Sequence, residues 1–145
     1  MMKKYPGKVL FSSLCICFFA CADSQISIDD PESKLKELGI ELKAPAAPTA
    51  NFSSAVTSGK LIFLSGAGPR KADNTFVQGK VGATITVEEA QAAARLAGIA
   101  LLESLKAEIG TLSKVKRIVK VLGMVNAVPD FTQQPQVMNA FSDFM

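Results

Sequence analysis

Ala55-Val56-Thr57-Ser58-Gly59-Lys60-Leu61-Ile62-Phe63-Leu64-Ser65-Gly66 is the stretch on which the fold turns. Ala55–Thr57 and Lys60–Gly66 read as two strands joined at Ser58-Gly59, a tight hairpin turn. Four consecutive apolar residues, Leu61 to Leu64, predict a strand covered on both faces. Ala67-Gly68-Pro69-Arg70 breaks it, and Lys71 to Gly82 reads as loop with a short strand near Phe76-Val77. Upstream, Ala44-Pro45-Ala46-Ala47-Pro48-Thr49 is a stiff connection, because proline lacks the N–H that a ladder needs. Ile40-Glu41-Leu42 alternates like a brief edge strand. Before it, Asp30-Pro31-Glu32-Ser33 opens a short helix with Asp as cap and Pro at the first position. Leu35 and Leu38 share its face, and Gly39 stops it.

Downstream, Thr86-Val87-Glu88-Glu89 is a capping box. The helix it starts runs to Ile109 and stops at Gly110, with Val87, Ala90, Ala94, Ala97, Leu101 and Leu105 in one apolar stripe. The small residues of that stripe let the helix lie close on a sheet. Lys114 to Asn126 has the strongest strand pattern: Val115, Val119, Val121 and Val125 hold one parity, Ile118, Leu122 and Met124 the other. Lys114, Lys116, Arg117 and Lys120 at its start read as solvated charges in preference to a nucleic-acid patch. A second amphipathic helix begins near Pro135, with Val137, Met138, Phe141 and Met145 inward. It carries no stop signal before Met145, which reads as a truncation.

The amino terminus has the pattern of an export signal. Lys3, Lys4 and Lys8 precede an apolar run from Val9 to Ala22, shorter than the roughly 20 residues that span a bilayer. A buried amino-terminal helix is the competing reading of that run. Ala20-Cys21-Ala22 suits an ordinary signal peptidase, whereas Phe18-Phe19-Ala20-Cys21 resembles a bacterial lipobox with Cys21 as the lipidation site. Residues 1–22 are thus a signal peptide, 23–31 a tether and 32–145 the folded domain. The expected location is the bacterial periplasm or envelope.

Composition then narrows the chemistry. The chain has 145 residues, 48% hydrophobic, with no His, which removes imidazole bases and most zinc sites. Its net charge of +3 belongs to the signal: residues 1–22 hold three Lys and no acid, leaving 13 basic against 13 acidic residues. No nucleic-acid partner is expected of a neutral domain. Gly66-x-Gly68 is too short for a dinucleotide fingerprint, and no P-loop or acidic metal cluster is present.

The colinear set of Pro45-Ala46-Ala47-Pro48, Leu61–Gly66, Val115-x-x-Ile118-Val119-Lys120-Val121, Asn126, Asp130-Phe131-Thr132 and Val137-Met138-Asn139-Ala140-Phe141 resembles the Rid family. These are the YjgF-like reactive-intermediate (imine) deaminases, also labelled L-PSP endoribonucleases. Gly79-Lys80-Val81-Gly82 and Val125-Asn126 are similar to one branch of it. The resemblance covers about residues 32–145 and implies an α+β, chorismate-mutase-like fold: a mixed β-sheet with two helices packed on one face. It implies a homotrimer with ligand clefts between neighbours, no metal and no cofactor. Its active members hydrolyse enamine/imine intermediates to a 2-keto acid and ammonia. In that light Phe52, Ser65 and Gly66 are ligand-binding: Ser65 matches the family serine at the strand end, and Phe52 stands where the family has Tyr. Taken alone, Ser65 also reads as a strand end and Phe52 as a core or surface aromatic. Ala67 replaces a frequent Gln. Two further strands follow the second helix in the family and carry the substrate-binding Arg and a carboxylate. Those positions lie beyond Met145, Arg70 and Arg95 do not match them, and no catalytic residue is assigned. Three functions follow: an imine deaminase, a non-catalytic trimeric module binding a small carboxylate, and an endoribonuclease. Membrane contact is expected only through a lipid on Cys21.

Overall fold

The computed structural model describes residues 30–45 and 50–145. The signal, Cys21, most of the tether and the Ala46–Thr49 part of the proline-rich connection lie outside the described residues.

Helix α1 spans Pro31–Glu37. Asp30 caps it, accepting the Ser33 N–H at 3.2 Å, and Gly39 leaves it at φ 69°. Leu35 is its buried residue. Ile40–Leu42 forms no strand, because no described segment lies alongside to complete a ladder.

Strands β1 (Ala55–Ser58) and β2 (Leu61–Leu64) pair antiparallel, Ala55 opposite Leu64 and Ser58 opposite Leu61. The turn therefore centres on Gly59-Lys60, one residue later than Ser58-Gly59. Gly59 at φ 59° sits first in the two-residue turn, where a side chain would be strained. The expected mixed sheet is smaller here: the described residues contain this one two-stranded antiparallel sheet. Parallel contact is confined to single bridges from Val81 to Ile85 and to Ala127.

Helix α2 (Val87–Ile109) starts on the complete Thr86/Glu89 capping box and ends at Gly110. It covers the hairpin face bearing Ala55, Thr57, Ile62 and Leu64, and Thr57 Oγ1 donates to Glu108 of α2 at 2.8 Å. Val56, Leu61 and Phe63 are turned away from α2 and are each at least half exposed. β2 is thus covered on one face, not two. A 3₁₀ turn at Leu112–Lys114 follows, and helix α3 (Gln134–Ser142) packs beside α2. Val137 and Phe141 of α3 are buried, whereas Met145 is 38% exposed against the inward reading.

The largest departure is Val115–Asn126. It forms no ladder among the described residues, and Val119, Leu122 and Met124 are 69%, 80% and 91% exposed. Alternating β-branched residues favour an extended backbone, but a strand also needs a neighbour to take its N–H and C=O groups. Its two ends are tied down: Val115 N–H donates to Leu112 O at the start, and at the far end Val81 N–H donates to Asn126 O and Val128 N–H to Val81 O. Val81, Ala90 and Val137 form the small buried cluster where this junction meets α2 and α3.

Helix α1 is clamped to the 3₁₀ turn by two carboxylates. Asp30 accepts the Ser113 hydroxyl at 2.7 Å, and Glu32 accepts the Leu112 N–H at 3.2 Å with Lys106 at 3.5 Å. The Ser113 hydroxyl holds the Asp30 carboxyl below its ordinary range, and the Leu112 N–H does the same for Glu32. Depressed carboxyl pKa values stabilise the charged, docked form fully above the ordinary range, and that stability is lost as pH falls below the ordinary range and through the depressed values. The expected result is that α1 begins to loosen as pH drops below about 4. Amide exchange should rise first in residues 31–38, and equal protection at pH 6 and pH 3 would contradict the clamp.

Candidate functional site

Ser65 and Gly66 lie immediately past the end of β2. The hairpin ladder continues through them, since Ser65 N–H donates to Ser54 O at 3.0 Å. Strand alternation puts Ser65 on the parity of Leu61 and Phe63, the face turned away from α2. Its hydroxyl donates to Ser53 O at 2.6 Å. With the proton so directed, the Ser65 oxygen keeps acceptor capacity toward the open side. Gly66 is exposed.

Phe52 directly precedes Ser53, whose carbonyl takes the Ser65 hydroxyl, so all three sequence-predicted residues come to one end of the hairpin. The Phe52 ring is 50% exposed, an available wall and not a core residue.

Neither Arg70 nor Arg95 reaches this end as a free cation. Arg70 Nη2 meets Glu103 Oε2 at 2.5 Å, and Arg95 lies over the Phe144 ring at 5.0 Å. Glu103, missed in the sequence, is the one buried charged residue among the described residues. Its signal was slight: an acid seven positions after Leu96 on a helix whose apolar stripe was read through Leu101 and Leu105. The stripe stands at its start, where Ala90 is buried and Val87 and Ala94 pack against the same cluster, while Ala93, Gly98 and Glu103 are buried on other sides of α2.

The Gly79–Gly82 and Val125-Asn126 segments prove to be partners. Asn126 Nδ2 donates to Gly79 O at 2.8 Å. Gly82, at φ 85°, has no room for a side chain, since a Cβ there would lie 2.8 Å from Val128. Among the described residues, no group of three or more His, Cys, Asp and Glu side chains is placed to hold a metal ion.

The family described as "YjgF/chorismate mutase-like, putative endoribonuclease" matches residues 32–145. The chain belongs to this family. Protein TCP17 of Trypanosoma cruzi is 41% identical over 113 residues, which are 78% of this chain and 71% of TCP17. The fold of this YjgF-like chain is similar to a "putative endoribonuclease" from Shewanella oneidensis, with TM-score 0.75 and 32% identity over 80% of this chain and 77% of that one. It is also similar to a protein of unknown function from Agrobacterium tumefaciens, with TM-score 0.71 and 38% identity, covering 80% and 72% of the two chains. The α+β architecture is that of the YjgF/chorismate-mutase-like fold.

Proposed function

We propose that the full-length protein is an enamine/imine deaminase, whose Ser65 end of the hairpin binds a 2-imino acid. The observation that carries this reading is the oriented Ser65 hydroxyl, held by Ser53 O on the helix-free face with Gly66 and Phe52 beside it. An imine carbon is already electrophilic. Water adds to it, the C–N bond breaks, and a 2-keto acid and ammonia leave. Such a site must orient the substrate and a water, and it needs no imidazole. In the family the substrate carboxylate falls to an Arg on two strands after the second helix, and this reading assigns it there. A keto-acid-coupled assay on 2-aminoacrylate tests this in the full-length protein. Ser65→Ala should lower kcat/KM by about tenfold, the worth of one hydrogen bond.

Phe52 and Ala67 favour a second reading, a binding module without turnover, since each stands where the family has a polar group. Binding of pyruvate without keto-acid production would select it. RNA cleavage is carried by the printed names of relatives; against it stand the balanced charge of residues 23–145 and the absence of His. RNA turnover with no imine hydrolysis would reverse that order.

Two further features complete the proposal. The bare face with Val56, Leu61 and Phe63 suits a homotrimer, and a monomer in sedimentation of the full-length protein at micromolar concentration would refute it. Lys3 to Ala22 suits export to a bacterial envelope, with cleavage after Ala22 or after Ala20 with lipid on Cys21. Intact mass of the mature protein decides, and retention of Lys3 would count against export.

A further inference from the structure

The buried Glu103 carboxylate has two oxygens, and each holds a different distant segment. Oε2 takes Arg70 Nη2 at 2.5 Å, and Oε1 takes the Lys43 N–H at 3.2 Å. Its side chain is 7% exposed, whereas that of Arg70 is 18% exposed. Arg70 lies four residues past Gly66, and the chain from Pro69 onward is laced into a turn. Arg70 bridges Phe76, and Val77 N–H donates to Pro69 O at 3.0 Å. The Phe76 ring sits over Gly68, 3.2 Å from where a Cβ would stand. Arg70 Nη1 also reaches Asn74 Oδ1 at 3.1 Å, across a turn in which Asn74 holds φ 67°. Pro69 fixes its own φ. The path from Ser65 to Glu103 is therefore short, and it is tied down from Gly68, under the Phe76 ring, to Arg70.

We infer that Glu103 is a positioning residue: through Arg70 it fixes the Ser65-Gly66 segment at the ligand-facing end of the hairpin against helix α2. This rests on the ligand-binding reading of Ser65 given above. Arg70 is then explained as well. It is the paired tether of the loop that leaves the site, not a substrate-binding cation.

The test uses the full-length protein and two variants. Glu103→Gln keeps one carbonyl oxygen for two donors, so one tether is lost and the buried charge with it. Amide exchange should accelerate at least about tenfold across residues 66–77 while α3 stays protected. In the imine assay KM should rise about fivefold or more, with kcat within about twofold. The second variant, Arg70→Met with Glu103→Met, replaces the ion pair by apolar side chains, which commonly preserves stability. It should recover the thermal midpoint yet keep the fast loop exchange and the high KM. A merely structural pair would recover all three together, and that result would overturn the inference. Unchanged loop exchange in Glu103→Gln would overturn it too. Fast loop exchange in a protein with no imine turnover at all would uphold the tether and sink the deaminase reading instead.

Discussion

The 145-residue chain is expected to leave the hydrolysis of 2-aminoacrylate at its uncatalysed rate. A carboxylate substrate in a partly dry cleft needs an opposite charge, and such a pair contributes about 2–5 kcal/mol. Ser65, with its proton given to Ser53 O, has only acceptor capacity left for a carboxylate, so it cannot substitute. The arginines nearest in sequence are already committed, Arg70 to Glu103 and Arg95 to the Phe144 ring. Freeing Arg70 would leave Glu103 buried and unpaired. On the proposed reading, turnover is expected of a chain that also carries the family Arg and its two strands. Removal of its site Arg should cost about a hundredfold or more, well beyond the effect of Ser65→Ala. Coupled keto-acid assays on both forms measure this directly. Robust turnover by the 145-residue chain would show that the Ser65 end of the hairpin is not the site.

Phe141→Ala should be the most destabilising single change in the helical layer. Phe141 is 5% exposed on α3, which has no side-chain cap at its start and relies on packing against α2. Around it the interface is close: Gln91 Nε2 donates to Gln136 O at 3.0 Å, and Phe144 leaves a Cβ at Gly98 only 3.0 Å. Truncating a buried Phe removes apolar contact and leaves a cavity, at about 3–5 kcal/mol. A domain of this size holds about 5–15 kcal/mol in total, so the loss is a large share. Leu38→Ala at the C-cap of α1, 56% exposed, is the control and should stay within about 0.5 kcal/mol. Urea unfolding of the full-length protein reads both. Equal midpoints for the two variants would contradict the placement of α3 on α2.

The same contrast runs through the reading of the fold. The Asp30 cap, the Thr86/Glu89 capping box and the glycine stops at Gly39 and Gly110 were legible as letters, and each stands in the structure. So was the hairpin, although its turn moved by one residue to Gly59-Lys60, where the pairing of Ser58 with Leu61 places it. The family likeness rested on the order of such units, and the match over residues 32–145 agrees with it. The positions of Phe52, Ser65 and Gly66 could be singled out in the sequence, but their geometry could not. Nothing in the string Leu64-Ser65-Gly66 says that the Ser65 hydroxyl is spent on Ser53 O. Periodicity read Lys114 to Asn126 as the best strand, yet Met124 is 91% exposed, because periodicity records what a strand could bury and not whether a neighbour is there.

By itself the sequence determined the helix starts, the helix stops and the hairpin, since a cap or a tight turn is satisfied by atoms three or four residues away. Only the tertiary structure decided which acid is buried, which arginine is spent and where the Gly79 loop is held. Glu103 closes contacts across 33 and 60 positions of chain, and Asn126 reaches Gly79 across 47. Bonds of that span exist only after the chain has folded back on itself. A buried charge is tolerable only where such a partner has already arrived.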